Sequence, residues 1–320
     1  DLAVWLRGNV FIPDARVWWV DPSVKFLTTY LQAHPVDAIV STGPPHSMHL
    51  IALGLKKRLP ALRWIADWRD PWTNIDFYDQ LKLTAWADRK HHRQEREVVG
   101  RADVNVAVGW TMAEELKALG SRRTEVITNG YDPDDVPEPP EPVDEKYSLG
   151  HVGNLTATPD IPQLWPVLAE LCRTSTEFAR RFELRFVGPV DHVALASIDR
   201  AGLSDRVTRL GSVDHARAMR EMQRARVLLL SVNDTANAKG VLTSKVFEYL
   251  AVGRPILAFG PQDGDVARVL EGHVLVDRRE VHPDPLMIAK LFERTGGGGV
   301  NADFSRSAGA GRMATILAGA

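Results

Sequence analysis

Apolar runs of strand length alternate with stretches of helical spacing along most of the chain. In the first half, Ala38-Ile39-Val40 precedes a helical stretch from His46 to Arg58. Leu62 to Ala66 is the next apolar run, followed by a loop and a long polar helix from about Leu81 to Val99. Val104 to Val108, a helix over Thr111 to Leu119 and a strand at Glu125-Val126-Ile127 complete this half. Such alternation predicts βαβ units and a parallel sheet with helices on both faces.

Asp132 to Glu145 interrupts the rhythm. Pro133, Pro137, Pro139, Pro140 and Pro142 lie there among acidic residues, so an interdomain linker is expected rather than a regular element. The second half resumes with strands at Ser148 to Val152, Leu184 to Val187, Val207 to Leu210, Val227 to Ser231, Pro255 to Phe259 and His273 to Val276. Helices fall between them, Ser244 to Val252 being the clearest. Gly296 to Gly299 reads as a flexible break and Asp303 to Leu317 as a closing helix. The expected organisation is an N-terminal α/β domain with its linker over residues 1–140, a second α/β domain over 141–300 and a helix over 301–320. Two such units predict a cleft between sheet edges where ligands bind.

A chain of 320 residues, 44% hydrophobic and 25% charged, has enough apolar side chain for a core in each half. Its 39 Lys and Arg against 41 Asp and Glu provide no basic field for nucleic acid. No apolar run approaches the roughly 18 residues of a spanning helix. Cys172 is the only cysteine, which excludes an intramolecular disulfide and fits a reducing, cytoplasmic setting. The chain opens at Asp1 without an initiator Met, a signal peptide or a Gly-rich first strand. It is therefore expected to begin partway into a domain, leaving a first sheet that is incomplete and exposed at one edge.

The best-placed chemistry lies between Lys239 and Pro255. A strand leads through a polar loop to Gly240, Val241, Leu242 and Thr243, and then into a helix at Ser244. Gly240 is expected to let the backbone approach a ligand. The free N–H groups of Leu242, Thr243 and Ser244, with the positive end of the helix dipole, would make an anion site. Lys245 adds a point charge for a phosphate, and Glu248, three residues on, shares its face. On spacing alone, a capped helix with a surface Lys–Glu pair is the better reading. In the first half, Ser41-Thr42-Gly43-Pro44-Pro45-His46-Ser47 and Ile65-Ala66-Asp67-Trp68-Arg69-Asp70-Pro71-Trp72-Thr73 follow two strands. Asp67, Arg69 and Asp70 form a charged cluster at a strand end, where charges are costly unless paired or used. The plain alternative has Asp70 capping a turn and Arg69 paired with a carboxylate. His46 lines the cleft or simply begins a helix.

Lys245, Glu248, Tyr249, Leu250, Ala251, Gly253 and Pro255 resemble the donor-site signature of retaining GT-B glycosyltransferases of family 4. Val126-Ile127-Thr128-Asn129-Gly130-Tyr131-Asp132 is similar to that family's approach to the interdomain crossing. Ser148 to Leu155, with Gly153 and Asn154, resembles the opening of its nucleotide-binding domain, and Val207 to Val213 a strand near the base. The "G-P-P-H-S" and "A-D-x-R-D-P-W" stretches are similar to a bacterial subgroup. The resemblance implies two Rossmann-like domains and transfer of a sugar from a nucleotide-diphosphate donor with retention, without metal or other cofactor. It places Glu248 on the ribose, Asp67, Arg69, Asp70 and His46 toward the acceptor and reacting carbon, and the closing helix back on the first domain. Envelope-polysaccharide assembly at the cytoplasmic face of the inner membrane is the implied setting, with a glycan or lipid-linked sugar as acceptor and peripheral membrane association. Two positions depart from the pattern: Gly240 stands where the family has a first glutamate, and Asn154 where it has arginine. These departures keep a non-catalytic nucleotide-sugar-binding scaffold open as an alternative, and a sugar-nucleotide epimerase is a further one.

Other features read as structural. Adjacent His91 and His92 diverge by about 100° on a helix and are assigned to a solvated basic face rather than to metal. Asp263-Gly264-Asp265 is expected to cap a helix. Cys172, Trp5, Trp18 and Trp19 are expected to pack.

Overall fold

The structure, a computed structural model, describes residues 2–155, 160–294, 296–297 and 301–319. Gly298 and Gly299, in the expected glycine break, lie outside them. The chain divides into two compact units, Asp1–Thr128 with Ala310–Ala320, and Asn129–Gly309.

The first unit begins with helices α1 (Leu2–Asn9) and α2 (Val20–Ala33), which the apolar pattern did not announce. There follow β1 (Ala38–Gly43), α3 (Ser47–Arg58), β2 (Arg63–Trp68), α4 (Ala85–Arg101), β3 (Val104–Ala107), α5 (Trp110–Ala118) and β4 (Thr124–Val126). The four strands pair in parallel in chain order, β1-β2-β3-β4. One core layer gathers Trp64, Trp68, Trp72, Val98, Val99 and Met112. On the other, Ile65, Val104 and Val106 meet Ile316 from the C-terminal helix. Helix α4 starts later than its polar pattern suggests. Tyr78–Leu81 forms a 3₁₀ turn and Lys82 turns left-handed at φ 51°, so Thr84 becomes the cap and its side chain accepts from the Ala87 N–H. From there Ala87, His91, Glu95, Val98 and Val99 form the buried face at spacings near four.

The second unit holds β5 (Tyr147–Val152), α6 (Leu164–Thr174), α7 (Thr176–Arg181), β6 (Phe182–Val187), α8 (His192–Arg200), β7 (Val207–Gly211), α9 (His215–Arg224) and β8 (Val227–Ser231). It continues through α10 (Ser244–Ala251), β9 (Ile256–Phe259), α11 (Asp265–Val269), β10 (Val274–Val276), α12 (Pro285–Glu293) and into α13 (Arg306–Ala318). Its six strands are all parallel, in the order β10-β9-β8-β5-β6-β7. Strands β8 and β9 are apolar along their length because helices cover both faces of the sheet. The proline-rich segment is fastened within this unit: the Gln223 side chain accepts from the Glu141 N–H at 3.1 Å and donates to the Pro137 carbonyl at 3.1 Å. Below it Arg185 is held by Asp144 at 2.5 Å and Glu183 at 2.9 Å, so its buried charge is compensated. Among the described residues, no helix is long and apolar enough to cross a membrane.

Candidate functional site

Read outward from its first strand, the second sheet runs β5-β6-β7 to one side and β8-β9-β10 to the other. The winding therefore reverses between β5 and β8. In an open parallel sheet this switch point leaves a crevice at the carboxyl ends of the two central strands. Strand β5 delivers Gly153 and Asn154 to it, and β8 delivers the loop that leads to α10.

Helix α10 is locked there by its own sequence. Val246, Phe247, Tyr249 and Leu250 are buried beneath it. The Tyr249 hydroxyl accepts from the Val152 N–H at 3.0 Å and donates to the Leu229 carbonyl at 3.4 Å, tying the helix to both central strands. Burial drives its phenol pKa upward. Thr243 occupies the cap position without a side-chain cap bond; its carbonyl accepts from the Val246 N–H at 3.2 Å, and the earlier N–H groups of the turn are left for an external acceptor. Ser244 and Thr243 are exposed and Leu242 is buried.

Lys245 folds back from this turn over Gly153. Gly153 has φ 107°, and a Cβ there would lie 2.8 Å from Lys245 Nζ. Gly188, at φ 118°, lies so close beneath that a Cβ on it would meet the Gly153 carbonyl at 2.6 Å. Two glycines are therefore required, one for the turn and one for the approach. Burial pulls the Lys245 pKa down to about 8, against a restoring pull from Glu248. Glu248 is half-buried one turn further on. Asn154 is exposed. Gly240 ends a 3₁₀ turn, Ala238–Gly240, in the loop that leads to α10, and is not among the left-handed glycines.

Two residues of this crevice were missed by sequence reasoning. His151, buried within β5, lies 3.3 Å from Lys245 Nζ. Arg278, beyond β10, donates to Ser231 Oγ at 2.7 Å and to the carbonyls of Val232 at 2.8 Å and Asp160 at 2.7 Å, bracing the end of β8. His151 stands within the Ser148 to Leu155 stretch but was given no role there, and Arg278 stands in no local motif; each reaches the site from a different strand.

In the first unit, β1 and β2 end side by side, pairing Thr42 with Asp67. Thr42 Oγ1 donates to Asp67 at 2.7 Å, while burial raises the carboxyl pKa. Arg69 donates from its backbone to the Gly43 carbonyl at 2.9 Å and from its guanidinium to the Pro44 carbonyl. It forms no ion pair among the described residues, and Asp70 is exposed beside it. The plain alternative of a paired arginine is therefore not what the structure has. His46 is buried, its ring stacked on Trp72 at 4.8 Å and 5°. Burial takes its pKa down to about 4, with Asp14 opposing. His46 Nδ1 and His49 Nε2 have no hydrogen-bond partner among the described residues, and both face Gly43: a Cβ there would meet them at 3.1 and 2.5 Å. A cavity of about 330 Å³ opens beside this loop, lined in part by Trp68, Trp72, Asn74, Glu95 and Glu115.

Three structural expectations need correction. His91 is buried rather than solvated: its Nδ1 accepts from Trp72 Nε1 at 3.0 Å, and only His92 is exposed. Asp263 and Asp265 do not cap α11, whose cap is Gly264; Asp263 pairs with Lys239 at 2.5 Å and Asp265 is buried. Trp18 and Trp19 do not pack into the core but stand 70% and 66% exposed, and Trp5 is 40% exposed. Cys172 lies half-buried at the margin of the second core.

No family model matches the chain, and no curated protein does. Solved structures do. The chain is similar to sucrose-phosphate synthase from Thermosynechococcus elongatus, with a TM-score of 0.62 at 16% identity over 95% of this chain and 78% of that one. Lipopolysaccharide outer core galactosyltransferase WaaB matches with a TM-score of 0.62 at 14% identity, over 93% and 79% of the two chains. The UDP-forming alpha,alpha-trehalose-phosphate synthase from Burkholderia xenovorans, in complex with glucose-6-phosphate, gives 0.54 at 12% over 92% and 72%. These likenesses, with the two parallel sheets, define the fold as GT-B, built of two Rossmann-like α/β units.

Proposed function

We propose that this chain is a retaining glycosyltransferase of the family 4 type that takes its sugar from a nucleotide-diphosphate donor. The observation that carries this reading is the placement of Lys245 over Gly153 at the switch point, with Glu248 one turn along the same helix. A diphosphate at the end of β5 would meet the Lys245 ammonium and the uncapped N–H groups of α10. Glu248 would accept from the ribose hydroxyls.

In the reaction, the bond from the anomeric carbon to the diphosphate oxygen breaks, a bond to the acceptor oxygen forms on the same face, and the acceptor's hydroxyl proton passes to the departing diphosphate. Negative charge grows on the departing diphosphate, and fixed donors stabilise it without reorganising. No step requires a metal or other cofactor. Asp67, Arg69, Asp70 and His46 would hold the acceptor. His46 serves there as a neutral hydrogen-bonding group, since burial keeps it unprotonated at neutral pH. The GT-B neighbours, which include a galactosyltransferase of lipopolysaccharide core, support a glycan or lipid-linked sugar as acceptor. The likeness of the G-P-P-H-S and A-D-x-R-D-P-W stretches to a bacterial subgroup supports a role in envelope polysaccharide assembly, with the protein peripheral at the inner membrane's cytoplasmic face.

The test is incubation with UDP-, GDP- and ADP-sugars and a polyprenyl-linked glycan acceptor, following diphosphate release and the anomeric configuration of the product by NMR. A product with the donor's configuration supports the reading, and an inverted one contradicts it. Gly240 and Asn154 favour one second reading, a donor-binding scaffold. Tight donor binding without release of diphosphate would select it.

A further inference from the structure

We propose that His151 is a positioning residue that holds the Lys245 ammonium over the end of β5 while leaving its charge available to an anion. The inference rests on the donor-site reading above and deepens it.

His151 is 2% exposed, one residue before the end of the parallel strand β5. Its Nδ1 lies 3.1 Å from the Leu229 carbonyl on the neighbouring strand β8. A carbonyl only accepts, so Nδ1 carries the proton. Burial, reinforced by the charge of Lys245, pushes the ring pKa down to about 3, so the imidazole is neutral and Nε2 is bare. That bare nitrogen is 3.3 Å from Lys245 Nζ, which only donates. The Leu229 carbonyl thus sets the tautomer, and the pull of the Asn154 carbonyl toward a protonated ring is outweighed by burial and by Lys245.

The surroundings decide what this contact is for. Strand β5 presents His151, Gly153 and, just beyond, the Asn154 carbonyl, which also reaches the ring. Helix α10 presents Glu248, whose charge acts on Lys245. No carboxylate among the described residues lies within ion-pair distance of Nζ. A carboxylate at the place of His151 would orient the ammonium but neutralise it. With only water there, the flexible stem would be free to turn away. A neutral imidazole takes one of the three N–H donors and leaves two, with the full positive charge, over Gly153.

The full chain, His151→Phe and His151→Gln are compared by competitive acetylation with acetic anhydride from pH 6 to 11, resolved at Lys245 by mass spectrometry. Pyrophosphate binding is measured on the same three proteins. Both substitutions lose the bond to Leu229, but only glutamine offers an oxygen near the place of Nε2. A purely structural role therefore predicts that the two variants behave alike. The proposal expects a Lys245 midpoint near the native value of about 8, a lower one in His151→Phe with roughly ten-fold weaker pyrophosphate binding, and recovery of both in His151→Gln. Equal Lys245 midpoints in all three proteins would overturn it. Loss of all pyrophosphate and nucleotide binding in the native chain, with the midpoint still depending on residue 151, would remove the donor reading and leave the Lys–His couple standing.

Discussion

Gly153 combines two demands that no side chain meets: φ 107° and a lysine amine 2.8 Å from where a Cβ would sit. Gly153→Ala should therefore lose about 1–3 kcal/mol of stability and displace Lys245. Urea unfolding checks the first effect; an unchanged midpoint would show that the strand end can relax. Glu248→Ala is the contrasting case. Its carboxylate makes no hydrogen bond among the described residues, so its loss should leave stability within about 0.5 kcal/mol while weakening nucleotide binding. At this scale the sequence was legible where chemistry is local. Lys245 and Glu248 are three residues apart on one helix, and the spacing places them together. His151, Arg278 and the buried His91 were not legible, because their partners Lys245, Ser231 and Trp72 come from other elements.

Helix α10 is positioned as an element by one hydroxyl. Tyr249 bridges the Val152 N–H and the Leu229 carbonyl, so Tyr249→Phe leaves a buried N–H without its acceptor. The expected cost is about 1–3 kcal/mol, read as a drop in Tm, with nucleotide binding weakened because the helix is released from β5. An unaltered Tm would mean that apolar packing alone holds the helix. The strands were largely legible as apolar runs, since parallel strands buried on both faces have no polar alternation to obscure them. Boundaries fared less well. The start of α4 depends on a left-handed Lys82, which nothing in the residue type announces. The exposed aromatic residues of α2, among them Phe26 and Tyr30, give that helix no clean polar face, so its 14 residues passed without assignment.

Across the molecule, acid should unfold the protein through its buried histidines. His46 and His273 titrate near 4 and His49 and His151 near 3, all below an ordinary value of 6.5, with burial as the leading cause. A depressed pKa means that the unfolded chain binds the proton first. Stability is therefore fully present above about 6.5 and falls as the pH drops toward 4 and below. At pH 5 the loss is about 2 kcal/mol for each of the buried His46, His49 and His151 and less for the partly exposed His273. Urea midpoints at pH 7 and 5 should differ accordingly, and equal midpoints would show that these rings are already solvated. The parallel sheets were expected from βαβ alternation, but the switch point between β5 and β8 was not. The strand order itself emerges only from long-range pairing.

The central claim is that the β5–β8 crevice holds a nucleoside diphosphate through Lys245 and Glu248. Its most direct test is a thermal-shift titration with UDP, GDP, ADP, CMP and dTDP, on the native chain and on Glu248→Ala. At about 100 times its dissociation constant, the correct nucleotide should add roughly 2.7 kcal/mol to the native chain and much less to the variant. A shift of equal size in both proteins, or none with any nucleotide, would contradict the account.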